Sequence, residues 1–141
     1  MNLSTIRTGI KTTLEASLTT VRVYKTATAS ISAPAIIITT GPNFIEYQSA
    51  NAAGLSEIEL KLTVLVPRQD EARAQEALDD YLSSGTGATK SIIDALALDK
   101  TLDGSVSTSV VTEASAYFIT DIGDTTYASA ALTLTAYAKR N

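Results

Sequence analysis

Glu57-Ile58-Glu59-Leu60-Lys61-Leu62-Thr63-Val64-Leu65-Val66 decides the fold class. Ile58, Leu60, Leu62, Val64 and Val66 fall on one side of an extended chain, and Glu57, Glu59, Lys61 and Thr63 on the other. A period of two over ten residues is the signature of a strand with one face buried. Pro67 stops it, because it has no N–H for the ladder. Near the other end of the chain, residues 127–138 repeat the pattern, with Ala128, Ala130, Leu132, Leu134, Ala136 and Ala138 on one side and Ser, Thr and Tyr on the other. A sheet with one greasy face needs something to cover it, and the flanking periodicities supply helices.

Three segments read as helices. Leu3, Ile6, Ile10, Leu14 and Leu18 recur at steps of three and four, which predicts an amphipathic helix over residues 3–18, capped by Asn2 or Ser4. Its polar face carries Arg7, Lys11 and Glu15, solvated or free to meet a partner. A second helix is expected over 69–83, with Asp70 and Glu71 at the end where the helix dipole favours acids. Its buried stripe is Ala74, Ala77, Leu78, Tyr81 and Leu82, and Gly85 ends it. A shorter helix covers 91–98, with Ile92, Ile93 and Leu96 inward.

The remaining strands are shorter. Val21–Tyr24 is one, and Ala35–Thr39, after Pro34, is a continuous apolar run that suits a strand covered on both faces. Gly41-Pro42-Asn43 reads as a turn leading to a strand at 44–48, and Asn51–Gly54 as a second turn or loop. Residues 106–120 read as a long but interrupted strand, with a bulge where the apolar residues change face between Val110 and Val111. Asp121-Ile122-Gly123-Asp124 makes the final hairpin turn. The order α-β-β-β-β-α-α-β-β predicts an α+β fold: an antiparallel or mixed sheet with an N-terminal helix and two central helices packed on it, as a single domain over residues 1–141.

Composition narrows function. The 141 residues contain no Cys, no His and no Trp, while Thr and Ser together make up a quarter of the chain. No disulfide, thiolate nucleophile, Ser-His-Asp triad or His/Cys metal set can be built. Net charge is −4 and unevenly spread: residues 1–40 carry +3, and residues 41–138 carry −9. An acidic body argues against gripping nucleic acid. The longest apolar run is far shorter than a membrane span, and the N-terminus lacks a signal-peptide pattern. A soluble, cytosol-made, non-enzymatic protein without a cofactor is expected.

The remaining motifs are weak. Gly85-Thr86-Gly87-Ala88-Thr89-Lys90-Ser91 imitates a phosphate loop, but it follows a helix and has Thr89 and Ser84 where that loop needs Gly. Asp99-Lys100-Thr101-Leu102-Asp103-Gly104 opens like a calcium loop, making Asp99 and Asp103 the one weak metal candidate; the closing Glu would fall at Val110. Asp79 and Asp80 are neighbours on a helix and point apart, and Asp121 and Asp124 bracket a hairpin tip.

The layout as a whole resembles the tail terminator proteins of long-tailed bacteriophages, in particular those of phages infecting actinobacteria. The N-terminal helix leading into Val21-Arg22-Val23-Tyr24, then Pro34–Ile38 with Gly41-Pro42, then Glu46-Tyr47 before the strand 57–66 carry the likeness. So do Leu78-Asp79-Asp80-Tyr81-Leu82, Gly85-Thr86-Gly87, Lys90–Leu96, Thr101–Gly104 and the hairpin with Gly123 at its tip before Thr126-Tyr127. Asp124 stands where a second Gly is common in that family. The resemblance implies a virion protein assembled in the host cytoplasm. It would form a homo-oligomeric ring, a hexamer, that caps the tail tube, stops polymerisation of the tail tube protein and offers a surface to the head connector or neck protein, with DNA passing through the lumen unbound. Arg7, Lys11, Asn51, Gly54, Asp121 and Asp124 are the residues expected at subunit or tube interfaces. A tail-completion or head-tail joining protein of similar fold is the nearest alternative, followed by a small binding module and a carboxylate-only metal hydrolase.

Overall fold

The computed structural model describes residues 2–26, 30–47, 54–68, 70–85 and 90–139. Its elements are α1 (Leu3–Ser17), β1 (Arg22–Tyr24), β2 (Ala35–Glu46), β3 (Leu55–Pro67), α2 (Glu71–Leu82), α3 (Ile92–Leu98), β4 (Thr108–Ala114), β5 (Phe118–Ile122) and β6 (Thr125–Lys139). The strands form one mixed six-stranded sheet in the order β1-β2-β3-β6-β4, and β5 pairs β6 beside β4. Only β1–β2 is parallel. The expected α+β architecture is what the chain adopts.

The two strands with the cleanest alternation form the centre. β3 and β6 pair antiparallel along the whole of β3, from Leu55↔Lys139 to Pro67↔Tyr127. Register places Ile36, Val64 and Ala130 in one row and Ile38, Leu62 and Leu132 in the next, all on one face. Ile6, Ile10 and Leu14 of α1, Ala74, Leu78 and Tyr81 of α2, and Ile92, Ala95 and Leu96 of α3 bury against that face in a single core. Burying each such aliphatic side chain contributes about 1.5–3 kcal/mol, which is why the periodic stripes dictate where the helices lie. None of the three helices enters the smaller cluster on the opposite face, where Ile37, Leu65 and Tyr127 meet Tyr24, Ile31, Ala33 and Ile122. The run Ala35–Ile38 is thus covered on both sides, as its continuous apolarity requires.

Local capping sets the helix starts. The Asn2 side chain accepts from the Thr5 N–H at 3.0 Å, Asp70 from Ala72, and Ser91 from Asp94, so α1, α2 and α3 begin one residue after each cap. The expected start of α3 at Ser91 is corrected accordingly, and Gln69, the expected start of α2, lies outside the described residues.

Two strand expectations are also corrected. Gly41-Pro42-Asn43 is not a turn: β2 runs unbroken from Ala35 to Glu46, and the pairing jumps from Thr40↔Leu60 to Ile45↔Ile58. The extra residues form a bulge, and Pro42 is tolerated because β1 ends before it, leaving that side of β2 an open edge. The Glu59 side chain crosses Gly41 so closely that a Cβ there would stand 2.6 Å from it. The stretch 106–120 is interrupted, but the break lies after Ala114, dividing it into β4 and β5, and the bulge lies between Val111 and Glu113 rather than between Val110 and Val111. Between the two strands Ser115 keeps hold of β6. Its N–H donates to the Ala131 carbonyl at 2.7 Å, and its hydroxyl oxygen accepts from the Ala131 N–H at 3.0 Å in place of a backbone carbonyl.

Candidate interaction surfaces

The Asp99 turn is built as a closed unit. One Asp99 carboxylate oxygen accepts from the Thr101 N–H at 3.1 Å and the Thr101 hydroxyl at 2.6 Å, and the other accepts from the Asp103 N–H at 3.0 Å. The Thr101 side-chain bond, aided by the two backbone N–H groups, holds the Asp99 pKa below its ordinary value. These bonds hold Leu102 and Asp103 in the left-handed region, at φ 51° and 59°. The turn then drives the Leu102 side chain into the core and its carbonyl against α1. The helix accepts that approach because position 9 is Gly: a Cβ there would lie 2.1 Å from the Leu102 oxygen. These bonds take three of the about four acceptor positions of the Asp99 carboxylate, and Asp103 is exposed. Among the described residues no three acids, His or Cys are placed to share an ion. The Asp99–Asp103 turn is therefore a fold element that docks α1. A hollow of about 250 Å³ beside it, between α1 and α3, includes Thr13, Leu98, Asp99 and Asp103 in its lining.

One end of the sheet is basic. The Arg7 guanidinium donates to the Lys25 carbonyl at 2.7 Å and the Ile38 carbonyl at 3.2 Å, tying α1 to the end of β1 and to β2. Arg7 is thus half-buried rather than freely solvated, and it is held as a fixed charge. Lys11 lies one helical turn on, on the same side of α1, also half-buried. Arg22 and Lys25, on and just after β1, are exposed. Among the described residues β1 pairs only with β2, which leaves its outer side without a strand partner.

The other end is acidic and apolar. Among the described residues β4 and β5 pair only with β6 and form the opposite edge. Six large hydrophobic side chains stand exposed among the described residues, and four of them are on or directly before these strands: Val110, Tyr117, Phe118 and Ile119. Glu113 and Asp121 lie on the same strands, and Asp124 on the hairpin tip, all exposed. Asp121 accepts from the Thr126 hydroxyl at 2.7 Å, which fixes the hairpin, and Gly123 takes a φ of 59° at its tip. A hollow of about 200 Å³ opens between α2 and β5, with Arg68, Leu78, Phe118 and Ile119 in its wall. The Tyr117 hydroxyl donates to the Asp79 carboxylate across its mouth. Burial, the Asp79 bond and the Asp79 charge together push the Tyr117 phenol up to about 12.

Of the expected interface residues, the structure gathers Arg7 and Lys11 at the basic end and Asp121 and Asp124 at the acidic one. Gly54 opens β3 with a φ of 74°, and Asn51 lies outside the described residues. Most of the phosphate-loop look-alike, residues 86–89, also lies outside them, and the Gly85 N–H is taken by the Asp94 carboxylate at 2.9 Å. Sequence reasoning missed Gly9, whose only signal was a small residue inside an apolar helical stripe. It also missed the Tyr117-Phe118-Ile119 run, which looked like ordinary strand.

No family model matches the chain. The search of curated proteins found no match.

Proposed function

We infer that this chain is a ring-forming structural protein of a long-tailed phage. It caps the tail tube, halts tube growth and presents a surface to the head connector while DNA passes through the lumen. The observation that supports this reading best is the correspondence of elements with the stretches that carry the family likeness. These are the N-terminal helix feeding β1, the β2–β3 pair, the two helices on one face, the Thr101–Gly104 turn and the closing β5–β6 hairpin tipped by Gly123. A ring subunit needs two different surfaces that complement each other, and the opposite charges of the sheet ends fit that need. The net acidity of the body keeps a DNA lumen from holding its cargo, since like charges repel.

The test is a capping assay. Tail tube protein is polymerised with and without this chain, and tubes are measured by negative-stain microscopy. Short tubes with added density at one end are expected. Unchanged lengths with bare ends would contradict the reading, and binding to the portal complex without an effect on tubes would select the head-tail joining role instead.

A further inference from the structure

We propose that the β4–β5 edge is the docking surface for the β1 edge of a second copy of this chain, so that copies join head to tail. The inference rests on the ring reading above and names the surfaces that close it. Three observations converge on the β4–β5 side. Among the described residues its backbone is paired on one side only, and such an edge invites pairing unless it is blunted. It concentrates the exposed apolar side chains Val110, Tyr117, Phe118 and Ile119, whereas isolated exposed hydrophobics would need no explanation. It also carries the exposed acids Glu113, Asp121 and Asp124.

The occupant is chosen by charge. At the opposite end of the same sheet, the β1 edge presents Arg22 and Lys25 exposed beside Lys11, and the carbonyl bonds of Arg7 fix the relation of helix to strand there. Two acidic edges would repel in a symmetric pairing, as would two basic ones. The opposite signs favour the heterologous contact, which closes into a ring when the rotation between copies allows. The unpaired outer sides of β1 and of β4–β5 give such a contact a main-chain component, and the exposed apolar side chains supply area to desolvate.

The test reverses charge at side chains that are exposed on the surface. One variant carries Glu113→Lys and Asp124→Lys; a second carries Arg22→Glu and Lys25→Glu; a third carries all four. Association is followed by sedimentation over a wide concentration range. Each two-site variant alone should associate at least about tenfold more weakly than the unaltered protein, equivalent to about 1.4 kcal/mol. The four-site variant, and an equimolar mixture of the two-site variants, should recover association. Val110→Thr should weaken it as well, with an unchanged melting temperature. The unaltered protein remaining monomeric throughout, or two-site variants that associate normally, or no recovery in the four-site variant, would overturn the interface. The capping assay run alongside separates the two readings. Capping by a protein that stays monomeric overturns the interface alone, and charge-dependent rings that leave tubes uncapped overturn the terminator reading alone.

Discussion

Gly9 is the residue on which the docking of α1 depends. Alanine is the better helix former by up to about 1 kcal/mol, yet at position 9 its Cβ would meet the Leu102 carbonyl at 2.1 Å and the Ser105 hydroxyl at 2.8 Å. Neither neighbour can yield cheaply, because Leu102 is fully buried and its oxygen accepts from both the N–H and the hydroxyl of Ser105. Overpacking of this kind costs about 1–3 kcal/mol, so Gly9→Ala should destabilise on balance and lower the melting temperature by several degrees in a thermal unfolding scan. The facing turn should respond in the opposite sense. Asp103 sits at φ 59°, a conformation that favours glycine, so Asp103→Gly should stabilise by about 0.5–1 kcal/mol. The Asp99 carboxylate is held below its ordinary pKa of 3.8 by its bonds to Thr101 and Asp103. Its stabilising share is present above that value and is lost as pH falls through the lower folded value. Denaturant titrations from neutral to strongly acidic pH should show a smaller acid-side loss for Asp99→Asn than for the unaltered chain. Tyr117 works at the other limit: its phenol is raised from 10.0 to about 12. The stability tied to the neutral phenol is complete below pH 10 and fades as pH rises towards 12. Tyr117→Phe should therefore be less stable near neutrality and show less alkaline loss in the same titration.

At the scale of elements, the connection between β4 and β5 carries the clearest prediction. The Ser115 hydroxyl oxygen accepts from the Ala131 N–H at 3.0 Å, and Ser115→Ala leaves that donor without its acceptor. A cost of about 1–3 kcal/mol follows, and hydrogen exchange should quicken at Ala131 before it quickens at Leu62 or Leu134 in the central pair. A slowed or unchanged rate at Ala131 would contradict the role given to Ser115. The same strands show where sequence is legible and where it is not. β3 and β6 were readable because strict alternation over their length means a strand with one apolar face in the core, although the other face also buries Leu65, Tyr127, Ser129 and Ala131. The stripes of α1 and α2 were readable for the same reason at a period of 3.6. The misread segments are those where the local signal and the tertiary outcome diverge. Gly41-Pro42-Asn43 carries turn chemistry, yet β3 continues beside it and its Glu59 side chain occupies the space a Cβ at Gly41 would need, so the chain bulges and stays in the sheet. Residues 106–120 are rich in β-formers throughout, and nothing local announces that a serine hydroxyl will replace a carbonyl at the break. The Asp99 turn was legible as a turn but not as a fold element, because its partner Gly9 lies 90 residues earlier in the chain.

The whole molecule is a sheet sealed on one face by three helices and polarised from edge to edge. That polarity was present in the sequence as +3 over residues 1–40 and −9 over residues 41–138. The fold turns part of it into geometry, with Arg22 and Lys25 at one strand edge and Glu113, Asp121 and Asp124 at the other. Association driven by such surfaces should weaken with salt, since exposed charges are screened over about 10 Å at 0.1 M ionic strength. Magnesium at millimolar concentration should leave association unchanged beyond its ionic strength, because the Asp99 oxygens already accept from Thr101 and Asp103. The most direct measurement is the native mass in solution across concentration, with negative-stain images of the same samples. A monomer that passes to a closed ring of about six copies as concentration rises is the expected result. A strict monomer at every concentration, or a two-fold dimer that grows no further, would contradict a ring built head to tail from the two edges of this sheet.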